Sequence, residues 1–122
     1  MLSNYFSIVS ERIDGSTGVF DVRLNPECEV YEGHFPGEPV SPGVCNIEML
    51  LECAQRVAGF PLRARKINRC RLTTLITPIS HPELELHINL TEKEPSLWVL
   101  NAEIGKGDAN YMVLKAEVTA DE

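Results

Sequence analysis

Apolar and polar residues alternate without a break along ELELHINLT: Leu84, Leu86, Ile88 and Leu90 fall on one side, Glu85, His87 and Asn89 on the other. A period of two predicts a strand with one buried and one wet face. The same period runs through GVFDVRL, where Phe20, Val22 and Leu24 alternate with Asp21 and Arg23. Trp98, Leu100, Ala102 and Ile104 share one face of a further strand, and Met112, Leu114, Ala116 and Val118 line the last. YFSIVSERI and GVFDVRL flank Asp14-Gly15, the signature of a hairpin. Gly105-Lys106-Gly107-Asp108 supplies a turn between the last two strands. In RARKINRCR the odd positions, Arg63, Arg65, Ile67, Arg69 and Arg71, are expected on one side of an extended chain.

Between the second and third strands the period changes. Ile47, Leu50, Leu51, Ala54 and Ala58 recur at helical spacing. Val44, Met49, Cys53 and Val57 are apolar too and lie toward other faces. The pattern predicts a helix with Ser41 as N-cap, Pro42 in the first helical position and Gly59 as its stop. A helix that is apolar most of the way round is expected to be wrapped rather than laid on a surface. Two strands, one helix and about four more strands define an α+β class. The arrangement that satisfies them is an antiparallel sheet of about six strands curled around one central helix. No repeat, low-complexity tract or linker divides the chain, so residues 1–122 are read as one domain.

Composition narrows the partners. A net charge of −7 argues against nucleic acid as the main ligand. No apolar run approaches membrane-spanning length. MLSNYFSIVSERIDG lacks a basic region followed by a long apolar core, so no secretory signal is expected and the cytoplasm is the default. Cys28, Cys45, Cys53 and Cys70 form no CxxC pair and no metal-finger spacing. Without an export signal they are expected to be four buried, reduced thiols. The cations are unevenly placed: Arg63, Arg65, Lys66, Arg69 and Arg71 form a basic patch on an acidic protein.

The remaining segment, GHFPGEPVSPG, carries the candidate chemistry. Pro36, Pro39 and Pro42 stiffen the backbone, and Gly33, Gly37 and Gly43 permit corners or close approach. Such a loop can hold the His34 imidazole in one pose, where it is competent as a general base near neutral pH. Gly43 lies at the helix start, where amide N–H groups are unpaired and can hydrogen-bond a developing oxyanion. Glu48 follows one to two turns on. Burial would favour its protonated form while the helix N-terminus pulls the other way; a protonated Glu48 could donate to a leaving hydroxyl. Base, oxyanion donor and acid together suit removal of a proton alpha to a carbonyl with loss of a beta-hydroxyl. That reaction requires no metal and no organic cofactor, and none is signalled. His87 lies on the wet side of its strand and His81 precedes a proline in a loop; neither is expected to act in catalysis.

GHFPGEPVSPG, with an acid fourteen positions after the histidine (His34 to Glu48), resembles the hot-dog-fold 3-hydroxyacyl-(acyl carrier protein) dehydratases. The match is dense over the central fifth of the chain, and the element order extends it over the rest. The resemblance implies that His34 acts as base at the alpha carbon and Glu48 as acid at the beta-hydroxyl. It implies that the Gly43 N–H polarises the thioester carbonyl and the Val40 carbonyl orients the imidazole. Phe35, Val40, Val44 and Glu52 are placed along the substrate path, with Phe35, Pro36 and Pro39 also supporting the loop. Two hot dogs would pair side by side, each site taking its histidine and its acid from opposite subunits. A homodimer is thus implied, with a trimer of dimers also compatible, and the acyl chain would lie in a tunnel between the helices.

Two positions depart from the family pattern. Glu52 stands where the family usually carries Gln, on the same helix face as Glu48; repulsion between them would help retain a proton there, or hinder the substrate hydroxyl. In TPISHPELEL, His81-Pro82-Glu83 stands in place of the Gly-Asp that often follows Pro-x-x-Pro in the family, which bears on tunnel shape and chain-length preference. The substrate would arrive on the phosphopantetheine of an acyl carrier protein. Carrier proteins are acidic, so Arg63, Arg65, Arg69 and Arg71 are candidate docking residues; a solvated strand face, or an edge guarded by charge, is the alternative. A hot-dog thioesterase and a non-catalytic carrier-binding subunit are the competing functions.

Overall fold

The structure, a computed structural model, describes residues 4–31 and 41–121. Its strands bear out the alternation where the pattern is cleanest. Leu84, Leu86, Ile88 and Leu90 are all buried while His87 and Asn89 are exposed. Met112, Leu114, Ala116 and Val118 are buried in turn along the last strand. In chain order the elements are β1 (Phe6–Asp14), β2 (Thr17–Leu24), a 3-10 turn (Glu29–Tyr31), α1 (Gly43–Ala58), β3 (Leu62–Leu72), β4 (Glu83–Glu94), β5 (Leu97–Lys106) and β6 (Ala109–Ala120).

The six strands form one antiparallel sheet in the order β1-β2-β4-β5-β6-β3. The chain leaves β2 at one side, runs through α1, and enters the sheet again at the far edge as β3. β1 and β3 are therefore the two edges. The sheet curls around α1, which packs on β2, β3 and β4. This is the curled sheet around one helix expected from the element order, and the hot-dog architecture that the resemblance implies. Phe20, Leu50, Leu86 and Ile104 have no exposed surface, and each such burial contributes about 1.5–3 kcal/mol.

The helix differs from expectation at its start and in the side it buries. Pro42, not Ser41, is the N-cap, extended at φ −63° and ψ 143°, with no side-chain cap. Its carbonyl accepts from the amides of Cys45 and Asn46 at 3.0 and 3.1 Å. Ser41 is unavailable as a cap because its amide donates to the Ile76 carbonyl at 2.7 Å and its hydroxyl bonds Tyr31 at 3.0 Å. Gly59 ends the helix as expected, in the left-handed region at φ 86°, its N–H bonding the Gln55 carbonyl at 2.8 Å. The buried side carries Asn46, Met49, Leu50, Cys53 and Ala54, with Cys45 at its margin. Ile47, Leu51 and Ala58 are only partly buried. The sheet wraps this side of the helix, while Val44 and Glu48 on the opposite face are exposed.

β3 departs from simple alternation because two β-bulges interrupt its pairing with β6, between Ala64 and Lys66 and between Ile67 and Arg69. Directly paired residues share a sheet face. Ala64, Ile67, Cys70 and Leu72 pair with Val118, Ala116, Leu114 and Met112 and so lie on the concave side. Arg63, Lys66, Arg69 and Arg71 lie on the convex side, and Arg65 and Asn68 are the extra residues of the bulges. Ile67 is thus separated from the arginines rather than aligned with them. All four cysteines are free thiols, but only Cys28, Cys45 and Cys53 are buried; Cys70 is exposed on this edge strand. No helix among the described residues is long and apolar enough to cross a membrane.

Candidate active site

α1 presents a second face, opposite the core. Val44, Glu48 and Glu52 recur there at intervals of four, so they stack along one strip of the helix surface. Val44 is 66% exposed and Glu48 is exposed, while Glu52 is half-buried. Burial, and then the charge of Glu48 one turn away, push the Glu52 carboxyl above the usual carboxylate range. The burial expected for Glu48 therefore falls on Glu52 within this chain.

Gly43 opens the helix. The Pro42 carbonyl pairs with Cys45 and Asn46, which leaves the amides of Gly43 and Val44 as first-turn donors the helix itself does not use. Among the described residues, a Cβ built on Gly43 would meet nothing within 4 Å. Packing among the described residues does not demand glycine there, and the Gly43 N–H has no partner among them. Three of the expected site residues, His34, Phe35 and Val40, lie outside the described residues.

Glu52 also borders an open trough of about 1160 Å³ between α1 and β1. Phe6, Ile8 and Phe60 give it apolar walls, and Gln55 and the Glu11–Arg56 pair give it polar ones. The Arg56 guanidinium holds the Glu11 carboxylate at 2.6 Å. Neither the trough nor this pair was foreseen from sequence, because Glu11 and Arg56 are 45 positions apart.

The histidines expected to lie outside the chemistry have other contacts. His87 is exposed and its Nε2 lies 2.7 Å from Glu85. Nδ1 of His81 accepts the Thr77 amide at 3.2 Å, with the ring edge-on to Tyr111. Arg63, Arg65, Arg69 and Arg71 are all exposed, and none has a carboxylate partner among the described residues. Lys115 pairs opposite Arg69 and extends the convex patch.

Sequence reasoning also missed a buried polar group beneath the helix start, made by Tyr5, Tyr31, Ser41 and Asn46. Asn46 was legible as an anomaly, a lone amide among Cys45, Ile47, Met49 and Leu50. Its partner Tyr5, 41 positions away, was not.

Known proteins share this arrangement at two levels. The chain is 29% identical to the 3-hydroxyacyl-(acyl-carrier-protein) dehydratase FabZ of Pediococcus pentosaceus, over 94% of this chain and 79% of that protein. Its fold matches a chain of the dehydratase heterocomplex ApeI:P from Xenorhabdus doucetiae with a TM-score of 0.73, at 19% identity, covering 93% of this chain and 96% of the other. A hypothetical thioesterase from Streptococcus pneumoniae, solved with coenzyme A, superposes with a TM-score of 0.68 at 7% identity, covering 95% and 85%. Likeness of that degree speaks for the hot-dog fold and not for a reaction. The sequence itself is more selective: the family model described as "ApeI-like: ApeI dehydratase" matches residues 10–108, from within β1 to the turn before β6. A hot-dog sheet around a helix that starts at a bare Gly43 amide and turns Glu48 outward thus sits in a chain that belongs to the ApeI-like dehydratases.

Proposed function

We propose that this protein, acting as one hot-dog domain per subunit in the cytoplasm, converts 3-hydroxyacyl thioesters on acyl carrier protein into trans-2-enoyl thioesters and water. The reaction serves fatty-acid or related acyl-chain synthesis. The observation that carries the reading is the fourteen-residue interval from His34 to Glu48 inside GHFPGEPVSPG, on a chain whose helix begins at Gly43. His34 removes the proton alpha to the thioester carbonyl. The Gly43 N–H takes up the charge that develops on the carbonyl oxygen. The electron pair then forms the alpha–beta double bond as the beta-hydroxyl leaves with the proton of Glu48. The Val40 carbonyl orients the imidazole, and Phe35, Val44 and Glu52 border the substrate. The chain supplies no cofactor of its own in this scheme; the substrate brings its phosphopantetheine thioester.

The subunits pair with His34 and Glu48 of each site drawn from opposite protomers. Ile67 and Leu72, on the concave side of edge strand β3, are 47% and 42% exposed, and with Val44 they offer apolar surface for a second copy. Arg63, Arg69 and Arg71 on the convex side, with Arg65 at the bulge, dock the acidic carrier.

Incubation with a 3-hydroxyacyl carrier thioester, following enoyl product and free thiol separately, tests this reading. Enoyl product without thiol is expected. His34→Ala and Glu48→Gln should each lower turnover by orders of magnitude with folding intact; wild-type rates in either variant would overturn the roles. Thiol release would instead establish a thioesterase. A second reading, a carrier-binding subunit that works beside an active homologue, draws support from the dehydratase of similar fold being a heterocomplex. It predicts binding without turnover until a partner subunit is added.

A further inference from the structure

Four polar side chains with no place in the scheme above meet in the apolar interior beneath the start of α1. Tyr5, just ahead of β1, donates its phenol O–H to Oδ1 of Asn46 at 2.8 Å. The Tyr31 hydroxyl and Oγ of Ser41 are 3.0 Å apart and share one hydrogen bond. The two phenol rings lie 6.1 Å apart, so the two hydrogen-bonded pairs pack side by side as one cluster. All four residues are buried, Asn46 fully. Burial drives both phenols above their ordinary pKa, so both stay protonated through neutral pH. Nδ2 of Asn46 has no partner among the described residues.

Core filling alone does not account for this cluster. Phe at 5 and 31, Ala at 41 and Leu at 46 would occupy similar space without burying hydroxyl and amide groups. Hydrogen bonds between buried groups add a fixed separation and direction, which apolar contacts do not. The positions are telling. Tyr31 and Ser41 bracket residues 32–40, the segment that holds His34. Asn46 lies between Gly43 and Glu48 on the helix. The Ser41 amide is held in addition by the Ile76 carbonyl at 2.7 Å.

We propose that Tyr5, Tyr31, Ser41 and Asn46 are positioning residues for dehydration: they pin the two ends of the His34 segment to each other and to the first turns of the helix carrying Gly43 and Glu48. The inference rests on the roles proposed for those three residues. The cluster touches no substrate; it narrows the poses that His34 and the first turns of α1 can take within each subunit, and so the poses of the base at one site and of the acid that the same subunit lends to the other. A displacement of about an ångström at a reacting group costs about a hundredfold in rate, so losing one of several pins should cost about tenfold.

Tyr31→Phe and Ser41→Ala each delete one oxygen and little volume, and Ser41→Thr restores the hydroxyl. With the full-length protein and a 3-hydroxyacyl carrier thioester, kcat should fall about tenfold in the two deletions with KM within about twofold. Ser41→Thr should recover most of the rate. Amide hydrogen exchange should quicken in peptides spanning residues 32–43 and stay unchanged in β4, β5 and β6. A lower melting temperature with kcat per folded molecule and exchange at 32–43 unchanged would show the cluster to be structural only and overturn the proposal. Loss of rate that Ser41→Thr does not recover would also overturn it. If the wild type forms no enoyl product, the dehydration reading fails by itself, and hydrogen exchange alone decides whether the cluster pins the segment.

Discussion

Glu48 and Glu52 stand one turn apart on the same strip of α1, and the protein treats them differently. Glu52 is half-buried, and its carboxyl is raised by that burial and by the charge on Glu48. An acid raised in the folded state binds its proton more tightly there than in the unfolded chain. Stability is therefore greatest below the unfolded value, near 4.5, and declines as pH rises through the folded one. Glu52→Gln should melt with the wild type at pH 4 and above it at pH 7; thermal melts at the two pH values check this, and coincident melting at pH 7 would refute it. Gly43→Ala separates function from packing in a similar way. Among the described residues a Cβ there meets nothing within 4 Å, and alanine is the better helix former, so the melting temperature should hold or rise. If the bare amide serves the thioester carbonyl, kcat should nonetheless drop at least about tenfold. At this scale the motif made Gly43 and Glu48 legible, because a spacing along the chain fixes which turn of a helix each residue occupies. It left Tyr5 and Tyr31 hidden, since a hydroxyl's partner across 41 residues leaves no local periodicity.

Strands β4 and β6 could be read directly from alternation because every second residue from Leu84 to Leu90 and from Met112 to Val118 is buried. β3 could not. A bulge adds one residue to one strand and reverses the facing of everything beyond it, without any mark in composition. RARKINRCR contains two bulges, so Ile67 turns to the concave side, and Arg63, Lys66, Arg69 and Arg71 share the convex one. The helix start was misjudged for a related reason: Ser41 has the right chemistry for a cap, but its hydroxyl bonds Tyr31 instead. The sorting on β3 sharpens the docking proposal. Arg63→Glu with Arg69→Glu reverses two charges on one face, and should raise KM for carrier-linked substrate by about tenfold or more at low salt while leaving turnover of a short pantetheine thioester near wild type. The difference should shrink as salt is added. Equal effects on both substrates would place these arginines at the chemistry or in folding rather than at the carrier.

At the scale of the whole molecule, one chain leaves its own helix half covered. The sheet packs on the Met49–Leu50–Cys53 side, while Val44 stays 66% exposed and the edge strand β3 keeps Ile67 and Leu72 partly open on the same concave side. Apolar surface of this kind, next to an unpaired strand edge, is what a second copy would cover. If each site then takes His34 from one subunit and Glu48 from the other, two dead variants can repair each other. His34→Ala has a sound acid and no base; Glu48→Gln has a sound base and no acid. In a mixed dimer one site receives both lesions and the other receives neither. Random mixing after dissociation makes about half the dimers mixed, and one site in each is whole, so about a quarter of wild-type activity should return. If His34 and Glu48 of one site come from the same subunit, no mixing ratio can restore activity, because every site keeps one lesion. Activity measured against mixing ratio, with dimer formation followed by sedimentation, distinguishes the two arrangements. Ile67→Glu should abolish the recovery by keeping the subunits apart.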